Sequence, residues 1–184
     1  DFLDETVRLA REKVDQQWPD LTEGERADIA RMIGIGAVRF AILSVRPNRN
    51  VIVDWDTALS FTGDSGPYIQ YSCTRISSIL RKYGDERIDP GEIHMSHTAE
   101  WNLILRLALV GSDISAALDT RNPAIIANTA LDIARKFSVF YNECPVLSAG
   151  DMKIRETRIR ICVAVRQALI NLLGLLGIEA PERM

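Results

Sequence analysis

Between Asp151 and Leu176 the apolar residues Ile154, Ile161, Val165, Leu169, Leu172 and Leu176 recur at a spacing that a helix with one buried face satisfies and a strand does not. Such a helix needs neighbours to bury that face. Arg158 lies almost in line with Ile154, Ile161 and Val165. A guanidinium on a buried face must pair with a carboxylate or carbonyl, or meet a ligand, because an unpaired buried charge is costly. Lys153, Arg155, Arg160 and Arg166 crowd the same half of the helix, against Asp151 and Glu156 alone.

The rest of the chain supplies the neighbours. Leu3, Val7, Ala10 and Val14 mark a surface helix over residues 2–17, broken at Trp18-Pro19-Asp20. Thr22 and Glu25 form a capping box opening a second helix. It runs through Ala30, Ile33, Val38 and Phe40 to Leu43, with Gly34 and Gly36 as small contacts. Val51-Ile52-Val53-Asp54 reads as a short extended piece. From Glu100 to Val110 an apolar run turns Trp101, Ile104, Leu105, Ala108 and Leu109 toward a core and breaks at Gly111. Asn122-Pro123 opens a helix with Ile126, Thr129, Ala130, Ile133, Phe137 and Phe140 inward, Tyr141 near its end and Pro145 closing it. Arg135 and Lys136 near that end either face RNA or suit the helix dipole. Gly84-Asp85 and Asp89-Pro90-Gly91 read as loop, and the tail after Gly177 is short enough to fold back. The expected architecture is an all-α helical bundle.

Gly63 to Lys82 occupies the centre of this scheme. Gly63-Asp64-Ser65-Gly66-Pro67 is loop punctuation, with Ser65 placed to cap a helix whose first turn contains Pro67. On that helix Ile69, Cys73, Ile76 and Leu80 form an apolar stripe, while Tyr68, Tyr71 and Arg75 share another face. No acidic residue falls between Gly66 and Tyr83. Two tyrosines beside a cation make a stacking platform for unpaired bases. The same pattern also serves half-buried packing with wet hydroxyls.

Net charge narrows the choice. At −3 the 184-residue chain is no globally basic nucleic-acid binder, so any RNA contact is local. Cys73, Cys144 and Cys162 are too few and too scattered for a disulfide framework. Asp54 and Asp56 flank Trp55 without a third ligand nearby and read as caps or ion-pair partners. His94 and His97 share a helical face but lack the further ligands zinc needs. Gly63-Asp64-Ser65-Gly66-Pro67 is only a chance likeness to a serine-protease nucleophile loop, since the surrounding composition is helical.

The wording of several segments is more specific. Gly34-Ile35-Gly36-Ala37-Val38-Arg39-Phe40, Asp54-Trp55-Asp56-Thr57-Ala58-Leu59-Ser60-Phe61, Gly66-Pro67-Tyr68-Ile69-Gln70-Tyr71 and Phe140-Tyr141-Asn142-Glu143-Cys144-Pro145-Val146-Leu147 resemble the arginyl-tRNA synthetases, as does the ending Gly177-Ile178-Glu179-Ala180-Pro181-Glu182-Arg183-Met184. The resemblance covers nearly the whole chain, in order. It implies a helical linker over residues 1–50 and a DALR-type anticodon-binding bundle over 51–184. It also implies that Tyr68, Tyr71 and Arg75 lie beside the anticodon loop, and that Tyr141 and Met184 help enclose its middle base. Arg158 joins these as a candidate RNA contact, subject to the alternative of an internal partner. The implied partners are tRNA-Arg and a catalytic domain of the same polypeptide, with neither membrane nor DNA, in the cytoplasm. ATP with magnesium belongs to the parent enzyme and no cofactor to this portion, which has no HIGH-like or KMSKS-like motif. The rival readings are a freestanding paralogue and a helical module that meets protein.

Overall fold

The computed structural model describes residues 2–84 and 91–184. The helices among them are α1 (Phe2–Gln17), α2 (Glu23–Leu43), α3 (Trp55–Ala58), α4 (Gly66–Tyr83), α5 (Thr98–Ala108), α6 (Val110–Thr120), α7 (Pro123–Glu143) and α8 (Met152–Leu175). No strand occurs among the described residues, and residues 51–54 are irregular. The expected loop at Asp85 and Asp89-Pro90 lies outside the described residues.

Local chemistry sets the helix starts. Thr22 and Glu25 form the reciprocal capping box at α2. Asp54 caps α3 through the Thr57 N–H, Ser65 caps α4 through the Tyr68 N–H, and Asn122 and Asp151 cap α7 and α8. His97 caps α5, its Nδ1 accepting from the Ala99 N–H at 3.2 Å while its own N–H donates to Glu100 at 2.8 Å. The His97 side chain therefore serves the backbone here, while the backbone N–H of His94 donates to Thr157 Oγ1 at 3.0 Å. Gly177, at φ 66°, lets α8 end with the Ile178 N–H donating to the Leu173 carbonyl.

The main core lies where α4, α7 and α8 meet. Ile69, Ile76, Ile133, Phe137, Phe140, Leu169 and Leu172 are all fully buried there. A second, smaller core joins α1 to α2 through Ala10, Val14, Ile29, Ile33 and Leu59. Helix α2 bridges the two, because its Phe40 belongs to the main core. The C-terminal tail does fold back and lies along α4. Gln70 Nε2 donates to the Glu179 carbonyl at 2.7 Å and to the Met32 carbonyl at 3.0 Å. Thr74 Oγ1 reaches the Pro181 carbonyl at 3.0 Å, and Arg81 the Glu182 carbonyl at 2.9 Å.

Helix α5 departs from its expected orientation. Trp101, Leu105 and Leu109 are each more than half exposed, and Ala108 is exposed as well. The inward face carries Ala99, Glu100 and Leu103. A short helix packing by one face on α7 and α8 has more apolar residues than that face can hide. Its rotation is tied to Glu100, which is fully buried and paired with Arg158. The helix also ends at Ala108, before Gly111, which lies within the first turn of α6.

Helices α2 and α4 approach closely because glycines face each other. A Cβ on Gly66 would stand 2.8 Å from the Gly36 carbonyl oxygen and 2.9 Å from Phe40 Cβ. The first is backbone and the second is the root of a buried ring, so neither can yield cheaply. Gly66→Ala is therefore expected to destabilise the chain by roughly 1–3 kcal/mol in urea unfolding. Gly24→Ala, with nothing within 4 Å of the new methyl, is expected to be neutral or stabilising by up to about 1 kcal/mol.

Candidate nucleic-acid interface

Helix α4 is buried on most of its circumference, and a narrow stripe stays partly open. Tyr68, Tyr71, Arg75 and Ser78 are half-buried on it, and Lys82 is exposed. Arg75 is the centre of the stripe. Its Nη2 donates to Tyr71 Oη at 3.1 Å. Its Cζ stands 4.7 Å from the Tyr71 ring centroid and 4.9 Å from that of Tyr141, which projects from the last turn of α7. One guanidinium thus holds two tyrosine rings from different helices, within the range of cation–π attraction. The Tyr141 ring leans on Phe137 at 6.1 Å and is 40% exposed, so it is anchored at one edge and open at the other.

Beyond Tyr71 the aromatic strip continues. The Tyr71 ring is met by Phe61 at 6.2 Å and by Trp18 at 6.3 Å, and the Phe61 and Trp18 rings meet edge-to-face at 5.1 Å. Met184 packs on the second core together with Trp18 and Phe61. Trp18 and Phe61 carry no periodic signal in the sequence, because both sit in connections between helices. On the other side of Arg75 lies a cleft of about 470 Å³. Arg75, Ser78 and Lys82 line one wall, with Tyr141, Asn142 and the loop at 145–148 opposite. It combines a ring face, two cations and several hydrogen-bonding groups. A groove of about 510 Å³ between Arg81 and Arg166 has no aromatic wall among the described residues; Arg81 already donates to Ser78 and the Glu182 carbonyl, and Arg166 to Ser77.

Of the residues singled out from the sequence, Tyr71, Arg75 and Tyr141 come into direct contact. Tyr68 packs against the main core, and its hydroxyl lies 3.4 Å from the Ala134 carbonyl on α7. Met184 joins at the Trp18 end of the strip. Arg158 lies away from these residues: it is 7% exposed, and its guanidinium has internal partners. Its Nε donates to Glu100 at 2.6 Å, Nη1 to the Pro145 carbonyl at 2.8 Å and Nη2 to Ser96 Oγ at 3.1 Å. The charge of Arg135 is met by Asp64, and that of Lys136 by Asp132 at 3.7 Å. Among the described residues no group of three or more His, Cys, Asp or Glu side chains converges as metal ligands would, and no helix is long and apolar enough to cross a membrane.

An aromatic strip with a guanidinium between its rings on a helical bundle is an arrangement able to hold unpaired bases. Residues 69–184 match the DALR anticodon binding domain family, and the chain belongs to that family. Along its entire length it is 41% identical to an arginine–tRNA ligase of Chloroflexus aurantiacus, of which it spans 32%, and 42% identical to that of Chloroflexus aggregans, again spanning 32%. The solved Thermus thermophilus arginyl-tRNA synthetase superposes on all of this chain with a TM-score of 0.91 at 34% identity, over 32% of its own length. The chain spans about a third of these relatives.

Glu100 is the buried anion of the site's supporting network. Burial raises its carboxyl, but the hydrogen bonds from Arg158 and from the His97 and Ser96 N–H groups outweigh that and hold it below its ordinary value. An unfolded chain takes up this proton near pH 4.3, and the folded chain only at lower pH. The stabilisation is therefore full above that pH and is lost as pH falls through the folded value. Glu100→Gln is expected to flatten the decline in unfolding free energy below about pH 4.3, measured by urea titrations across the acid range.

Proposed function

We propose that this chain binds the anticodon loop of tRNA-Arg as part of an arginine–tRNA ligase acting in the cytoplasm. The observation that carries the reading is the Tyr71–Arg75–Tyr141 contact beside an open cleft, in a chain whose whole length aligns with ligases of that name. Loop bases splayed out of their stack need ring faces, and their phosphates need cations. The strip offers both on one surface. Tyr71 and Tyr141 take the bases, Arg75 keeps the rings in register, and Lys82 faces the backbone. Tyr68 and Met184 border the strip and complete it at either side. ATP, magnesium and arginine transfer belong to the remaining two-thirds of such an enzyme, whose HIGH-like and KMSKS-like signatures this chain does not carry.

The test is binding of tRNA-Arg and of a copy with the middle anticodon base changed, each at two salt concentrations. The base change is expected to weaken binding, and higher salt to weaken both RNAs together as phosphate contacts are lost. Tyr71→Ala and Tyr141→Ala are each expected to lower affinity for the cognate RNA by about 5- to 100-fold, the range of one lost base-stacking contact. Equal binding to both RNAs, unmoved by either substitution, would refute anticodon reading.

A further inference from the structure

We propose that Arg158 is a positioning residue for RNA binding: from behind the cleft it fixes the 145–148 wall against which a base rests. The inference rests on the proposed function and adds to it a residue that never touches RNA. Helix α7 ends at Glu143 and α8 begins at Met152, so the wall is a connection without helical hydrogen bonds of its own. Its apolar anchors are Cys144 and Val146, at 0% and 6% exposure. Apolar burial fixes how deep a loop sits but not which way its peptide planes face, because the hydrophobic effect has no direction. The guanidinium supplies direction. Its Nη1 holds the Pro145 carbonyl at 2.8 Å, while Ser78 and Lys82 look across the cleft at the same loop.

Arg158 is in turn held rigid. Nε is 2.6 Å from Glu100 Oε1, and Glu100 Oε2 accepts from the Ser96 N–H at 2.6 Å and the His97 N–H at 2.8 Å. The entrance of α5, the body of α8 and the cleft wall are thereby tied to one planar group. Only arginine offers a fork that reaches three partners at fixed angles, whereas lysine is a point charge on a flexible stem. Stability alone is a poor reason for such a pair. Well-packed apolar residues in place of a buried ion pair are often as stable or more so. A directional hold on the wall is what an apolar pair would not provide.

Two variants separate positioning from folding. Arg158→Lys keeps the charge beside Glu100 and gives up the hold on Pro145. The pair Arg158→Met with Glu100→Gln removes both charges yet keeps an acceptor for the Ser96 and His97 N–H groups. Each is compared with the unaltered chain for affinity toward tRNA-Arg and toward the copy with the middle anticodon base changed. Hydrogen exchange at the Val146, Leu147 and Ser148 amides is read in parallel, at a temperature where circular dichroism shows the helices intact.

The expected result is faster exchange at those three amides with α1 and α2 unchanged, and a fall of roughly tenfold in the ratio of the two affinities, the factor one charge-assisted hydrogen bond carries. The salt-dependent binding common to both RNAs is expected to persist. A folded Arg158→Lys chain with unaltered exchange at 146–148 and unaltered discrimination overturns the inference. If the unaltered chain itself fails to discriminate, the proposed function falls. The exchange measurement then still decides whether Arg158 holds the wall.

Discussion

Helix α4 is covered on most of its circumference, with Ile69, Cys73 and Ile76 at most 1% exposed. Packed between α2, α7 and α8, it has little surface left over, and what is left becomes the site. Enclosure demands small residues where helices touch and internal partners for most of the polar groups that go inside. Gly66 meets Gly36. Ser72 and Thr74 return their hydroxyls to the carbonyls of Tyr68 and Gln70 within the helix itself. Gln70 spends its amide on α2 and on the tail, so one buried side chain secures two otherwise independent segments. Among the residues that remain half-open are Tyr68, Tyr71 and Arg75, which bear rings and charge.

Two kinds of polar interaction coexist around the site and do different work. Arg75 is half-buried and holds ring faces, a soft contact that solvent and a ligand can rearrange. Arg158 is buried and holds a carboxylate, a hydroxyl and a carbonyl, a hard contact whose loss would leave a desolvated anion behind. The cleft lies between them. A contact that can rearrange in front and a rigid hold behind would keep the proposed base-binding surface both adaptable and in place. Cys73 and Cys162 lie deeper, and burial pushes both thiols up to about 12, which keeps them un-ionised and inert in the core.

Much of this was legible in the chain's text, and the exceptions are informative. The caps at Thr22, Asp54, Ser65 and Asn122 were readable because a cap is a contact between residues three positions apart or fewer. The inward faces of α4, α7 and α8 were readable because each of these helices is covered along its length. Helix α5 misled because the apolar count of a segment says nothing about how many neighbours it has. Trp101 and Leu105 face solvent, while the charged Glu100 goes inside with Arg158. Either residue alone gives a pattern rule no reason to bury it; together they are a pair across 58 positions.

Local spacing and capping made the helical class readable, along with most of the helices and the face that Tyr71 shares with Arg75, whereas α6 follows Gly111 without a signal of its own. Tertiary structure alone decided that the guanidinium of Arg75 sits between rings from two helices, that Trp18 and Phe61 extend the strip, and that Arg158 turns inward to hold the wall. Those outcomes depend on contacts between residues far apart in the chain, and their geometry is set by the packing of helices around α4, which no local pattern encodes.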